Sequence, residues 1–356
     1  MTDMILKDEE RAVFALRSLY RHYGYAPYKM SRFEEYDLYV RSKDFLPSDQ
    51  IITFSDNSGR LLAMKPDVTL SIVKNAPEAA GVVQKVYYNE NVYRDYREIL
   101  QAGLECVGDL GDYEIAEVVL LAAKSLALLS DTFVLDISHM GLVAAVMDSC
   151  GMNESQKTQA MECLHRKNIH ELRALWSGSA EDWEKLQLLA TCRGGREAMS
   201  ALESILTTEG ERQAMEELKS LLSILESSGC GGSVRLDFSV GNNMRYYSGV
   251  VFRGYIAGIP ASVLSGGQYD RLPRKMGRKS RAIGFAVYVD LLQELQKENR
   301  DFDVDTLILH DGTVSTRELM EAVQRAGAQG SVLVSRCLPE GRNWKNLLRL
   351  GKEADQ

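Results

Sequence analysis

The distribution of strand-like and helix-like patterns along the chain constrains the fold more than any other feature. Residues 51–107 and 234–264 contain short apolar runs bounded by turn signals, which are typical of β-strands. The block between them, residues 141–227, is rich in Ala, Leu, Glu, Lys and Met, and the cluster SSGCGG at 227–232 ends it. This order predicts an α+β fold, with an antiparallel sheet, flanking helices and a helical insertion at about 141–232.

Local signals place the individual elements. The turn sequence Asp56-Asn57-Ser58-Gly59 predicts a hairpin between strands at 51–54 and 61–64. Apolar residues at three-and-four spacing predict amphipathic helices over 8–23 and from 112 to 129. Further strands are predicted at 82–88, 99–107, 234–238, 247–256 and 261–264, and a helix at about 285–297. The last 56 residues predict a strand (306–309), a helix (316–326) and a strand (331–335), which form a short C-terminal α/β segment.

Composition limits the classes of partner. The chain has 356 residues, of which 45% are hydrophobic and 26% charged, as in a globular protein rather than a disordered one. Its formal net charge of -8 argues against non-specific binding of nucleic acid, which depends on basic patches. No apolar run approaches the roughly 20 residues that span a bilayer, and the acidic start MTDMILKDEE does not resemble a signal peptide. Six cysteines without paired spacing suggest reduced thiols, so we expect a cytoplasmic protein with no membrane partner.

The strand at 99–108 carries the first candidate site. Its period of two places Gln101, Gly103 and Glu105 on one face, with a gap at the glycine. An amide and a carboxylate around such a gap suit a pocket for a small zwitterion, although a solvated strand face would show the same pattern. Asp67 and Thr69 offer acceptors for an ammonium group, or serve only as turn residues.

Two later segments offer aromatic and backbone contacts. Tyr246 and Tyr247 could stack on a flat ligand, or one of them could pack in the core. The glycine pair of SGGQYD at 265–270, followed by a basic loop, could approach a ligand through its backbone or bind an anion. The chain has no GxxxxGK[ST] or GxSxG motif, and the spacing of Cys163, His165 and His170 matches no metal site, so helical surface positions are expected for these three residues.

Together these segments resemble the catalytic core of class II histidyl-tRNA synthetases and, more closely, the regulatory subunit family of ATP phosphoribosyltransferase. The resemblance covers about residues 5–300, and we expect residues 1–300 to form the synthetase-like domain and 301–356 the C-terminal remnant. It rests on five segments in order: MKPDVT (64–69), NVYRDYREILQAGLECVG (91–108), RYYSGVVF (245–252), SGGQYDRL (265–272) and AIGFAV (282–287).

Departures from the synthetase pattern concern ATP. Only Asp95 and Tyr96 separate the two arginines of the second class II motif, where synthetases carry a long loop that holds ATP. Leu291 stands where synthetases place an arginine under the adenine, and Asn242 stands where a catalytic arginine is usual, with Arg245 nearby. The resemblance therefore implies that this chain does not activate histidine.

The contacts to the amino acid look retained. The resemblance implies that Asp67 and Thr69 face the histidine ammonium group, and that Arg94 and Gln101 face its carboxylate. It also implies that Glu105, Tyr246 and Tyr247 frame the imidazole. Ser31 replaces the proline expected in the first class II motif, but a self-dimer is still implied by the family.

The expected function is that of a non-catalytic regulatory subunit. The resemblance implies assembly with a short-form ATP phosphoribosyltransferase catalytic subunit, and feedback inhibition by L-histidine at the first step of histidine biosynthesis. No catalytic residue, metal or cofactor is expected in this chain. Two alternatives remain open from the sequence: a divergent histidyl-tRNA synthetase, and a synthetase-like binding module with no enzymatic role.

Overall fold

A computed structural model describes residues 8–42, 45, 51–241, 246–292 and 302–351. It divides into two units, residues 1–294 and residues 295–356. Among the described residues, none of the helices combines the length and hydropathy needed to cross a bilayer.

The helices are numbered in chain order. They are α1 (Asp8–His22), α2 (Tyr36–Val40), α3 (Thr69–Asn75), α4 (Asp112–Leu129), α5 (Met140–Ser149), α6 (Glu154–Arg166), α7 (Ile169–Leu175), α8 (Ala180–Thr191), α9 (Arg196–Glu203), α10 (Glu209–Ser227), α11 (Arg271–Lys275) and α12 (Thr316–Gly327). Helices α5 to α10 occupy the region where a helical insertion was predicted.

The strands are numbered in the same way. They are β1 (Ala26–Pro27), β2 (Phe33–Glu35), β3 (Thr53–Ser55), β4 (Leu61–Met64), β5 (Val83–Arg94), β6 (Arg97–Gly108), β7 (Phe133–His139), β8 (Arg193–Gly194), β9 (Val234–Asp237), β10 (Val250–Ile256), β11 (Leu264–Gln268), β12 (Arg281–Tyr288), β13 (Val304–His310), β14 (Val332–Ser335) and β15 (Trp344–Leu350).

Nine of these strands form one large sheet in the order β1-β5-β6-β12-β11-β10-β7-β9-β8. All neighbours pair antiparallel except β1 with β5 and β7 with β9. Strand β6 is central to the first half of the sheet, and its residues from Gln101 onward are buried. Helices α1 and α4 pack together on one face, where the Tyr20 and Ser125 hydroxyls lie 3.1 Å apart.

The turn between β5 and β6 is very tight. Arg94 and Arg97 are register partners, so only Asp95 and Tyr96 lie between the strands. Both have positive φ angles, 49° and 59°, which match the two central residues of a type I′ hairpin. The twist of the two strands favours this turn, and it leaves no room for a long loop at this end of the sheet.

Several predicted elements need correction. The predicted helix at 285–297 is wrong, because β12 continues as a strand to Tyr288; residues 293–297 lie outside the described part of the chain. Strands β10 and β11 begin at Val250 and Leu264, later than predicted. Strands β7 and β15 were not predicted.

The C-terminal unit contains a parallel sheet of three strands in the order β14-β13-β15, with helix α12. The serine hydroxyl of Ser315 accepts a hydrogen bond from the Glu318 amide (3.3 Å), and Glu318 accepts one from the Ser315 amide (3.1 Å). This reciprocal capping fixes the start of α12, and the helix predicted at 316–326 is confirmed.

Candidate functional site

A cavity of about 260 Å³ lies over one face of strands β6, β12 and β11. The structure brings all seven predicted site residues to its wall, although they come from four separate segments of the chain. They are Asp67, Thr69, Arg94, Gln101, Glu105, Tyr246 and Tyr247.

Small residues in register make the floor of the cavity. Gly284 of β12 lies between Glu105 of β6 and Gly267 of β11. A Cβ atom on Gly284 would collide with the Glu105 carboxylate, and one on Gly267 would lie 2.8 Å from the Tyr247 ring. Glycine at these two positions lets the Glu105 carboxylate and the Tyr247 ring lie directly against the sheet. The approach of a ligand to the backbone at the glycine pair of SGGQYD stays a prediction.

Glu105 is the most deeply buried acid of the cavity, with 2% of its surface exposed. The Thr69 hydroxyl donates to its Oε1 over 2.7 Å, and the Tyr269 hydroxyl donates to its Oε2. Burial raises the pKa of Glu105 to about 8, against the opposing effect of hydrogen bonds from Tyr269 and Thr69. This carboxyl group therefore holds a proton readily near neutral pH, and a ligand that donates hydrogen bonds or carries positive charge would favour its ionised form.

Asp67 and Arg94 form the charged rim. Arg94 Nη2 lies 3.2 Å from Asp67 Oδ2, and Arg94 Nε donates to the Pro66 carbonyl over 2.6 Å. Asp67 Oδ1 accepts the Leu70 amide over 2.8 Å, which anchors the carboxylate at the start of α3. A cation and an anion held side by side are complementary to the ammonium and carboxylate groups of an amino acid.

Aromatic side chains form the remaining wall. The rings of Tyr246 and Tyr247 meet edge to face with centroids 4.6 Å apart, and Phe45 and Tyr269 lie 5.4 and 5.7 Å from Tyr246. Burial raises the pKa of both Tyr246 and Tyr247, so their phenols stay neutral. Both tyrosines line the cavity and also pack against the adjacent apolar core. Each side chain is therefore placed both to pack in the core and to contact a ligand.

Gln101 lies four residues before Glu105 on the same face of β6 and is 5% exposed. It is in register with Tyr288 of β12, whose hydroxyl lies 2.8 Å from the Ser265 hydroxyl. Tyr88, Tyr269 and Tyr288 line the cavity but were not predicted as site residues. Tyr269 stands two residues after the glycine pair, and Tyr288 was missed because a helix was incorrectly predicted at this position.

The basic loop after the glycine pair has a structural role. Arg278 donates to the carbonyls of Ala76 and Lys74, both over 2.5 Å. Arg281 donates to the Leu110 carbonyl over 2.9 Å and lies 3.3 Å from Asp270. These two arginines tie chain segments together, and the alternative that the loop binds an anion stays a prediction.

Other sequence candidates fall outside the cavity. Cys163 is buried, so the expected surface position is wrong for this residue, and His165 Nδ1 lies 3.0 Å from the Ser239 carbonyl. Within the part of the chain that the structure describes, no group of three His, Cys, Asp or Glu side chains could hold a metal ion. Asn242 and Arg245 lie outside the described residues.

Comparisons with known proteins agree with this architecture. The family model for histidyl-tRNA synthetase matches residues 3–292. An ATP phosphoribosyltransferase regulatory subunit from Clostridium kluyveri is 27% identical, and the match covers 89% of this chain and 86% of that protein. One from Syntrophotalea carbinolica is 29% identical over 84% and 74% of the two chains.

A crystal structure described as an ATP phosphoribosyltransferase regulatory subunit/histidyl-tRNA synthetase from Bacillus halodurans is also similar. It has a TM-score of 0.73 at 26% identity, with 96% of this chain and 93% of that chain covered. These matches confirm the predicted class II synthetase-like fold.

Proposed function

Because this chain belongs to the histidyl-tRNA synthetase family, we propose that it has lost the synthetase reaction and serves as the histidine-binding regulatory subunit of ATP phosphoribosyltransferase. One observation carries the proposal: a cavity lined by buried polar groups lies beside a two-residue turn between β5 and β6, where the resemblance to synthetases leads us to expect a long loop that holds ATP. The names of the curated relatives, which share the regulatory function, support it. The active site of the transferase then lies on a separate catalytic chain.

Histidine fits the cavity by chemical complementarity. The Asp67 carboxylate would accept its ammonium group, Arg94 and Gln101 would donate to its carboxylate, and Glu105 would accept an imidazole N–H. Tyr246 and Tyr247 offer ring faces and edges to the flat imidazole. Thr69 orients Glu105 through its 2.7 Å hydrogen bond, so its contribution to binding passes through that carboxylate.

Histidyl-adenylate formation is expected to be absent. Developing phosphate charge in that reaction needs preorganised cations, and losing one typically costs about 3–4 kcal/mol of transition-state stabilisation. The two-residue turn and Leu291 remove two expected contacts to ATP. Histidine-dependent exchange of pyrophosphate into ATP should stay at background for the purified chain, with an active histidyl-tRNA synthetase as positive control. Exchange above background would instead support a divergent synthetase.

We also propose self-association through the small sheet β2-β4-β3. Phe33 and Phe54 are 45% and 37% exposed, and their rings lie 5.1 Å apart. Leu62 and Met64 of β4 pair in register with Phe54 and Phe33, so these four apolar side chains share one face of the small sheet. Such a group is better covered by a second copy of the chain than by water.

Complex formation tests the proposed partnership. The chain, mixed with a short-form ATP phosphoribosyltransferase catalytic subunit from the same cell, should elute as one hetero-oligomer in size-exclusion chromatography. Its own elution volume without the partner should correspond to a dimer. The proposal places both chains in the cytoplasm, where the six unpaired cysteines of this chain would stay reduced. Two separate peaks at micromolar concentrations would contradict the partnership and favour the alternative of a synthetase-like binding module with no enzymatic role.

A further inference from the structure

A second cavity, of about 340 Å³, lies over strands β7, β9 and β10 on the other half of the large sheet. Charged side chains from distant segments of the chain meet in it. They are the cations Lys167, Arg193, Arg235 and Arg253 and the carboxylates Asp136 and Asp237. Four positive groups against two negative ones leave a local excess of two positive charges, in a chain whose formal net charge is -8.

Asp237 organises half of this cavity and is 6% exposed. Its Oδ2 atom lies 3.1 Å from Lys167 Nζ and accepts Arg193 Nε and Nη2 over 2.9 and 2.6 Å. Its Oδ1 atom accepts the Ser239 amide over 3.0 Å. One carboxylate thus holds two cations in place without neutralising both.

Arg253 is the cation of this cavity that has no carboxylate partner. Its register partner on β7, Asp136, accepts Arg235 Nε and Nη2 over 2.9 Å each. Within the described residues, no carboxylate oxygen lies within 4 Å of the Arg253 guanidinium. A half-buried guanidinium beside a cavity, with no anion of its own, is complementary to an anionic ligand.

Lys167 occupies an unusual backbone position. It caps the C-terminus of α6 with φ 56° and ψ 33°, a left-handed conformation that glycine usually adopts at this place. Glycine would remove the steric cost but also the ammonium group that reaches Asp237. The structure therefore keeps a cation here at some local conformational cost.

We propose that this cavity binds a phosphate group, either as free phosphate or as the monoester of a small sugar. Phosphate at neutral pH carries between one and two negative charges, which matches the local excess, and guanidinium groups donate to its oxygens in pairs. The site shares none of its charged residues with the histidine cavity, so the inference is independent of the proposed function. A purely structural role, in which Lys167 and Arg193 tie the helical insertion to β9, would not account for Arg253.

The site is tested by titrating the full chain with inorganic phosphate at constant ionic strength. Calorimetry and ³¹P NMR measure the binding. Saturable binding is expected, and Arg253→Gln should weaken it by about tenfold or more, because it removes charge-assisted hydrogen bonds. The unfolding temperature of this variant without phosphate should not fall below that of the unmodified chain, since Arg253 has no ion pair to lose and lies in a cavity with an excess of positive charge. Arg212→Gln, an exposed arginine of α10 outside the cavity, is the matched control and should bind phosphate normally.

Two further titrations identify the source of the phosphate. Ribose 5-phosphate binding more tightly than phosphate would support the inference with a sugar phosphate as ligand, and equal affinity would support it with free phosphate. Ribose alone should not bind. Equal phosphate binding by the unmodified chain and Arg253→Gln, or an effect reproduced by sodium chloride at the same ionic strength, would overturn the inference.

Discussion

Replacing Glu105 with alanine is expected to weaken histidine binding by about 1–3 kcal/mol, roughly a five- to 150-fold rise in Kd. The carboxylate is 2% exposed and is oriented by Thr69 and Tyr269 toward the cavity. Its removal would leave the imidazole N–H of bound histidine without an acceptor in a place that water enters poorly. Isothermal titration calorimetry with L-histidine measures the change directly.

Two control variants make this result specific. Glu105→Gln keeps the shape of the side chain and loses its charge. Its affinity for histidine should therefore fall between those of the unmodified chain and Glu105→Ala. Glu98→Gln, at an exposed position on the same strand, should bind histidine like the unmodified chain. Equal affinity in all four proteins would place the histidine site outside this cavity.

The pH dependence of stability provides a separate test of the Glu105 environment. The pKa of this group is raised to about 8 in the folded chain, so the native state holds a proton that the unfolded chain releases near its ordinary value of 4.5. The stabilisation is present below that ordinary value and is lost as pH rises through about 8. Glu105→Gln should remove this part of the pH dependence in denaturant unfolding between about pH 4 and 9. Identical profiles would show that the carboxyl is ionised normally.

Replacing Glu211 with glutamine is expected to reduce the free energy of unfolding by about 3–5 kcal/mol, because it leaves a buried cation without its partner. In the helical insertion, Lys185 Nζ lies 3.0 Å from Glu211 Oε1, and their side chains are 6% and 0% exposed. Ser149 and the amides of Thr207 and Thr208 donate to the same carboxylate over 2.6–2.8 Å. Urea denaturation monitored by circular dichroism measures the loss.

The charge of Glu211 also predicts sensitivity to acid. Burial alone would raise its pKa, but hydrogen bonds from Ser149, Thr208 and Lys185 lower it to about 2. The stabilisation is therefore present above the ordinary value of 4.5 and is lost as pH falls toward 2. Glu216→Gln, at an exposed position on the same helix, should match the unmodified chain. An unchanged free energy of unfolding in Glu211→Gln would contradict the prediction, because it would mean that water hydrates the Lys185 ammonium group in place of the lost carboxylate.

One strand of the candidate site was predictable from a local signal. Gln101, Gly103 and Glu105 are alternate residues of β6, and alternate residues of a strand lie on the same face of the sheet. Grouping this face with Asp67 and Tyr246 required the family resemblance, since nothing in the local sequence shows that these segments meet. The structure places them around one cavity.

The errors have a common physical origin in the middle of the large sheet. Residues 135–138 of β7 alternate apolar and polar (Leu, Asp, Ile, Ser), but all of them are buried and the alternation covers only four residues between two helices. In β12 buried positions dominate, and a continuous apolar run cannot be told from a buried helix by its period. Tyr288 was missed for this reason, and the basic cavity was missed because its cations come from segments that only the tertiary fold brings together.

Formation of phosphoribosyl-ATP by the catalytic subunit, measured with and without this chain and with and without L-histidine, tests the central claim most directly. The chain alone should be inactive, since the proposed catalytic centre lies on its partner. The mixture should exceed the rate of the catalytic subunit alone, and histidine should reduce that rate less with Glu105→Ala than with the unmodified chain, because inhibition requires differential binding of histidine to two states of the complex. Rates that neither the chain nor histidine changes at micromolar protein concentrations would contradict the regulatory function.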